Sequence, residues 1–118
     1  MPLILYKVLH LLGLMLVFAA LGGAAIEAAL KEKPWKKMHA ILHGSGLFLL
    51  LLGGFGMLAR LGIISGWPGW VWAKLAIWVI LGGSLTAMRK MPERGRPLLF
   101  GAILLGTLAA YLALYKPF

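Results

Sequence analysis

The chain of 118 residues contains no cysteine, no aspartate and only three carboxylates, Glu27, Glu32 and Glu93. Each absence removes a class of chemistry. Without thiols there is no disulfide framework, no thiolate metal centre and no cysteine nucleophile, and the redox compartment stays open. Without aspartate, and with Ser45, Ser65 and Ser84 outside any Gly-x-Ser-x-Gly setting, nothing orients a histidine for acyl transfer. Three scattered acids give no paired-carboxylate site, and no glycine-rich loop is built to cradle a phosphate. These absences point away from an enzyme, and from hydrolysis most firmly.

What the chain has in excess is apolar surface. Its hydrophobic content is 62% and its mean hydropathy +0.93, against roughly 45–50% apolar residues in soluble domains. Four apolar stretches, at about 3–30, 38–61, 68–88 and 97–115, are each long enough to cross a hydrocarbon core about 30 Å thick. The expected fold is all-α: one transmembrane domain over residues 1–118, an integral membrane four-helix bundle running up-down-up-down. The first stretch resembles a secretory signal in its Ala24, Ala25 and Ala28. Its basic cluster follows the apolar core instead of preceding it, so it reads as a retained span.

The formal charge of +9 sits at the ends of the apolar stretches and not on an aromatic-laced basic face. It therefore points to a bilayer with anionic headgroups and away from nucleic acid. Lys31, Lys33, Lys36, Lys37, Arg89, Lys90, Arg94 and Arg96 fall on one side; Lys7, Arg60, Lys74 and Lys116 fall near the other. The richer side is expected to be cytoplasmic, which places both termini outside, in a bacterial cytoplasmic (inner) membrane. Pro34 breaks the chain between the first two spans, Trp35 suits headgroup level, and Gly62 to Trp70 reads as a turn in the opposite interface.

The second span organises the rest. At helical spacing His39, His43, Gly46, Leu50, Gly53, Met57 and Arg60 share one stripe, which is expected to face protein because imidazoles, glycines and a guanidinium gain nothing from acyl chains. The first span carries a matching stripe of Tyr6, His10, Gly13, Val17, Ala20, Ala24 and Glu27 or Ala28. In the fourth, Ala102, Gly106 and Ala110 form a small-residue face suited to close helix packing and to homo-oligomer contacts. Leu-Gly-Gly recurs at Leu21 to Gly23, Leu52 to Gly54 and Leu81 to Gly83. We read the recurrence as shared packing chemistry.

Several constellations carry potential chemistry. His39 and His43, four residues apart, lie one above the other and form a candidate metal pair, although Ala40 breaks the His-Glu-x-x-His pattern. His10 and His43 are the candidate haem ligands. At 1.5 Å per residue they lie on opposite halves of the bilayer, roughly 20 Å apart in depth, so they do not share one iron. That leaves His10 with Met57, or His43 facing Gly22 and Gly23, whose missing side chains leave room for a flat ring. A quinone held by a histidine N–H in a glycine-lined crevice needs no second ligand. Glu27, the one acid in an apolar span, is expected at the depth of His39, where the two either relay protons or Glu27 pairs with the basic loops. Arg60 completes the polar interior.

The segments Tyr6-Lys7-Val8-Leu9-His10, Leu49 to Arg60 (LLLLGGFGMLAR) and, after a Trp-rich turn, Ala73-Lys74-Leu75-Ala76-Ile77-Trp78-Val79-Ile80-Leu81-Gly82 resemble the SirB family of small bacterial inner-membrane proteins. Ala110-Tyr111 and the Arg-rich turn fit the same layout, which CopD-like and cytochrome-b-like bundles share. The resemblance implies a four-span fold and a membrane address more than a reaction. Together these readings favour a non-enzymatic binding or accessory module whose interior holds a hydrophobic ligand or partner helices. A haem-binding protein, a proton-coupled carrier and an oligomeric scaffold are the alternatives.

Overall fold

The computed structural model describes residues 2–30, 32–62 and 66–115; Lys31, Ser65 and Lys116 lie outside the described residues. Four helices follow one another: α1 (Leu3–Glu27), α2 (Lys36–Arg60), α3 (Gly69–Lys90) and α4 (Gly95–Tyr115), the last two joined by a 3-10 turn, Pro92–Arg94. The described residues contain no strand. All four helices are long and apolar enough to cross a membrane. At 1.5 Å per residue, the 25 residues of α1 and of α2 reach about 37 Å, more than the roughly 30 Å of a hydrocarbon core.

Local chemistry sets the helix ends. α1 stops at Glu27, three residues before the expected boundary, with Leu30 N–H already turned back onto the Glu27 carbonyl. Gly62, at φ +80°, ends α2 in the left-handed region where a Cβ is costly. Pro68 is extended and precedes the first residue of α3, and Pro97 falls within the first turn of α4, where its missing N–H leaves no carbonyl unpaired. Beside the α2–α3 turn, the rings of Phe55, Trp67 and Trp72 pack in series at centroid distances of 5.2 and 5.1 Å.

Neighbouring helices are antiparallel, and the register is readable from paired residues. α1 meets α2 at Tyr6 with Gly56, His10 with Gly53, Gly13 with Gly46, and Gly23 with His39. α2 meets α3 at Leu47 with Trp78 and His43 with Leu81. α4 meets α1 at Gly106 with Phe18 and Gly95 with Ala25. The resulting order is up-down-up-down.

The α1–α2 hairpin is the tightest part of the molecule because glycine lets the two backbones touch. A Cβ on Gly13 would lie 2.6 Å from the Gly46 carbonyl oxygen, and one on Gly46 would lie 2.7 Å from the Gly13 carbonyl oxygen. The other helices pack through larger side chains: Val17, Leu21, Leu50, Ile77, Leu81, Leu85, Met88, Ala102 and Leu112 form the buried core. The expected stripe on α1 is therefore the buried one, from Gly13 through Val17, Ala20 and Ala24 to Glu27. On α2 it holds from His39 to Gly53 and then fails, since Met57 is only half-buried and Arg60 is exposed. Arg60 is corrected from the polar interior to the surface: it is the last residue of α2, where a long cationic side chain reaches water and favours the negative helix end.

The repeated Leu-Gly-Gly does not represent one packing device. Gly23 and Gly53 sit against His39 and His10, whereas Gly22 and Gly83 have open space where a Cβ would project. In α4, Ala102 is buried and Gly106 lies under the Phe18 ring of the same chain, which leaves only Ala110 of that face exposed.

Candidate functional site

Three ring N–H groups bind α1, α2 and α3 together through main-chain carbonyls. His10 Nδ1 lies 2.9 Å from the Leu50 oxygen, His43 Nε2 lies 3.0 Å from the Leu81 oxygen, and Trp78 Nε1 donates to the Leu47 oxygen at 3.0 Å. A carbonyl only accepts, so His10 carries its proton on Nδ1 and His43 on Nε2. The Leu81 carbonyl also accepts from the Ser84 hydroxyl at 2.6 Å, so side chains of α2 and α3 meet at one oxygen. Trp78 was missed in the sequence. Its signal was an indole on the core-facing side of a long apolar helix, a group that needs an acceptor when buried.

The histidines separate by neighbour. His43, 4% exposed, turns to α3, whereas His39, 7% exposed, turns to α1. The i, i+4 pair therefore diverges despite sharing a helix face. Among the described residues no group of three or more His, Cys, Asp or Glu side chains is placed to hold a metal. Gly23 makes room for His39 and not for His43, and Gly22 opens onto empty space. The register sets His10 opposite Gly53, ten residues from His43, so the two rings are about 15 Å apart along the bundle at 1.5 Å per residue. That is nearer than the 20 Å expected from span midpoints and still far too distant for one iron. Met57 lies one turn beyond the His10 level, since it is Gly56 that packs on Tyr6.

The clearest polar arrangement is at the end of α1. Glu27 Oε1 is 3.0 Å from His39 Nδ1, and Glu27 Oε2 accepts from the Trp35 backbone N–H at 3.0 Å. Among the described residues this is the only carboxylate paired with a basic side chain. An acid in the last turn of α1 opposes that helix's dipole, but here it is aimed at the opening turn of α2, where negative charge is favoured. α2 has no side-chain cap and no acid of its own in its first turn. The last residue of α1 therefore bonds the Trp35 N–H just before α2 and the His39 ring within it, which closes the hairpin across the Lys-rich loop.

A cleft of about 130 Å³ opens beside this pair. Ala24, Ala28, Met88 and Pro92 supply apolar walls, Glu27 and His39 line it, and Lys33, Lys36 and Arg89 bring three cations from the loop, α2 and α3. Arg89 is held in place by a 2.7 Å bond from its Nη2 to the Lys36 carbonyl, and Lys33 Nζ donates to the Leu30 carbonyl. The arrangement is amphiphilic: an apolar floor, a hydrogen-bonded carboxylate and a cationic rim.

Comparison with protein-family models, with curated proteins and with solved structures finds no match to this chain.

Proposed function

We propose that the protein is a non-enzymatic, four-span protein of a bacterial cytoplasmic membrane, similar in layout to the SirB family, that binds an amphiphile at its Lys- and Arg-rich end. One observation carries this reading: α1 and α2 touch backbone to backbone at Gly13 and Gly46, while the Glu27–His39 pair opens into a cleft. This supports binding at one end of the bundle and not between those helices. A membrane setting is supported by the outer face, where Ile4, Val8, Met15, Phe48, Val79, Phe100, Leu104 and Leu114 are all exposed. Apolar residues of that size and number on the outside suit acyl chains.

Because the chain has no cysteine, single cysteines introduced at Lys7 and Lys37 report topology without background. The Lys37 position is expected to label from the cytoplasmic side and the Lys7 position from the opposite side; labelling of both from one side rejects the four-span reading. Mass spectrometry of small molecules retained by the purified protein is expected to find an amphiphile at about one per chain. A preparation that retains none leaves a scaffold for partner helices, with Ala110 on the exposed face of α4.

A second reading, haem or quinone binding, is favoured by one feature. His10 donates Nδ1–H to a main-chain carbonyl, the arrangement that commonly orients a metal-ligating imidazole and leaves Nε2 as the ligand. His43 has the opposite tautomer, with Nε2 engaged by Leu81. An optical spectrum separates the readings. The amphiphile-binding protein is colourless, and a Soret band that disappears in His10→Ala would replace it with a haem protein.

A further inference from the structure

We infer that the cleft beside Glu27 and His39 is a site for the phosphate headgroup of an anionic phospholipid, a proposal that rests on the membrane reading above and names its ligand. The charge balance of the cleft leads there. The single carboxylate lining it is turned to its own partners, one oxygen to the His39 imidazole and the other to the Trp35 N–H. The remaining acids, Glu32 and Glu93, are close in sequence but do not line the cleft. Lys33, Lys36 and Arg89 form no ion pair among the described residues and outnumber that one carboxylate, on three separate elements around one opening.

The donors suit a phosphate. Arg89 spends Nη2 on the Lys36 carbonyl, which orients the guanidinium and leaves its other N–H groups for a second acceptor. Lys36 begins α2, whose first turn holds no acid, so the positive end of that helix adds to the same field. The walls decide between a lipid and free phosphate. Ala24, Ala28, Met88 and Pro92 give the cleft an apolar lining, and the exposed Ile26, Leu30 and Met91 at the same ends of α1 and α3 offer apolar surface on which acyl chains can lie. An inorganic ion would gain nothing from them. Conversely, a zwitterionic lipid brings its own cation into a rim that is already positive.

The test uses the full chain in phosphatidylcholine nanodiscs, with native mass spectrometry to count phosphatidylglycerol retained per chain. Phosphatidylglycerol is expected to be retained over phosphatidylcholine. Affinity is expected to fall about fivefold for each charge removed in Lys33→Gln and Lys36→Gln, as a Lys near an anionic headgroup warrants. Lys7→Gln, at the far end, is expected to leave retention unchanged. Equal losses in all three variants mean diffuse surface charge and overturn the proposal, as does retention unaffected by Lys33→Gln with Lys36→Gln. Displacement of the lipid by millimolar inorganic phosphate, with no preference between lipids, assigns the cleft to free phosphate and overturns the lipid assignment. A chain that carbonate washing strips from vesicles fails the membrane reading itself. One that stays inserted but shows no headgroup preference fails only this inference.

Discussion

Gly46→Ala is expected to destabilise the protein by about 3 kcal/mol, the upper end of what one inserted methyl costs in a packed interior, while Gly44→Ala, two residues away, stabilises it slightly. The new methyl at position 46 would lie 2.7 Å from the Gly13 carbonyl oxygen and 2.8 Å from both the Val17 amide nitrogen and its Cγ2. Two of those atoms are backbone and have no rotamer in which to retreat. Relief requires α1 and α2 to separate along the whole hairpin, which also stretches the bond from His10 to Leu50, one turn further along α2. At Gly44 nothing lies within 4 Å of the projected Cβ, so only the helix propensity gain of about 0.5–1 kcal/mol remains. Thermal unfolding in detergent of the two variants side by side checks this. Equal stabilities would mean that the α1–α2 backbone contact does not exist.

Removing the Glu27 carboxylate is the second large effect. Glu27→Ala leaves two donors, His39 Nδ1–H and the Trp35 backbone N–H, without their acceptor, and breaking a buried pair from one side costs about 3 kcal/mol or more. Glu27→Gln keeps an oxygen for one of those donors and is expected to cost about half as much. The pair is tested by a double-mutant cycle with His39→Ala. The double variant is expected to fall short of the summed single effects by about 2 kcal/mol, because each truncation removes the same interaction. Additive losses would mean that Glu27 and His39 act independently. The cycle also bears on the proton-carrier alternative, since a relay needs these two groups in contact. pH-dependent flux in liposomes that survives Glu27→Gln removes the Glu27–His39 relay, and the absence of any such flux removes the carrier alternative.

The two predictions share a cause. α1 and α2 form a hairpin held at its middle by glycine and at its closed end by one carboxylate. Neither feature is visible in the mean hydropathy of the two stretches, 2.2 and 1.8 over their apolar windows. What points to them is the punctuation: glycines at 13, 46 and 53 and an isolated acid at 27. Reading those residues as an inward stripe placed Gly13, Val17, Ala20, Ala24, His39, His43, Gly46, Leu50 and Gly53 on the buried side, where they are found. The stripe logic fails at Arg60 because the periodicity of a helix continues to its last residue whereas the bundle does not. At a helix end a side chain of that length escapes to water.

Four helices, their length and their alternation follow from composition and from where Pro, Gly and the charges fall, because a stretch of some twenty apolar residues between polar turns has few other ways to satisfy its backbone. The pairing of Glu27 with His39 was legible as a coincidence of depth, since antiparallel neighbours joined by a short loop bring the end of one to the start of the next. Which neighbour each imidazole chooses was not. His39 and His43 share a face, and only the position of α3 against α2 turns His43 to the Leu81 carbonyl while Gly23 draws His39 to α1. Nor does the sequence show that Lys33, Lys36 and Arg89 surround one cleft, because Arg89 is 53 residues from Lys36. Periodicity is a property of one helix, and partner choice depends on how several helices are rotated and offset against each other. That arrangement is settled by close packing across the whole bundle and leaves no local trace in the chain.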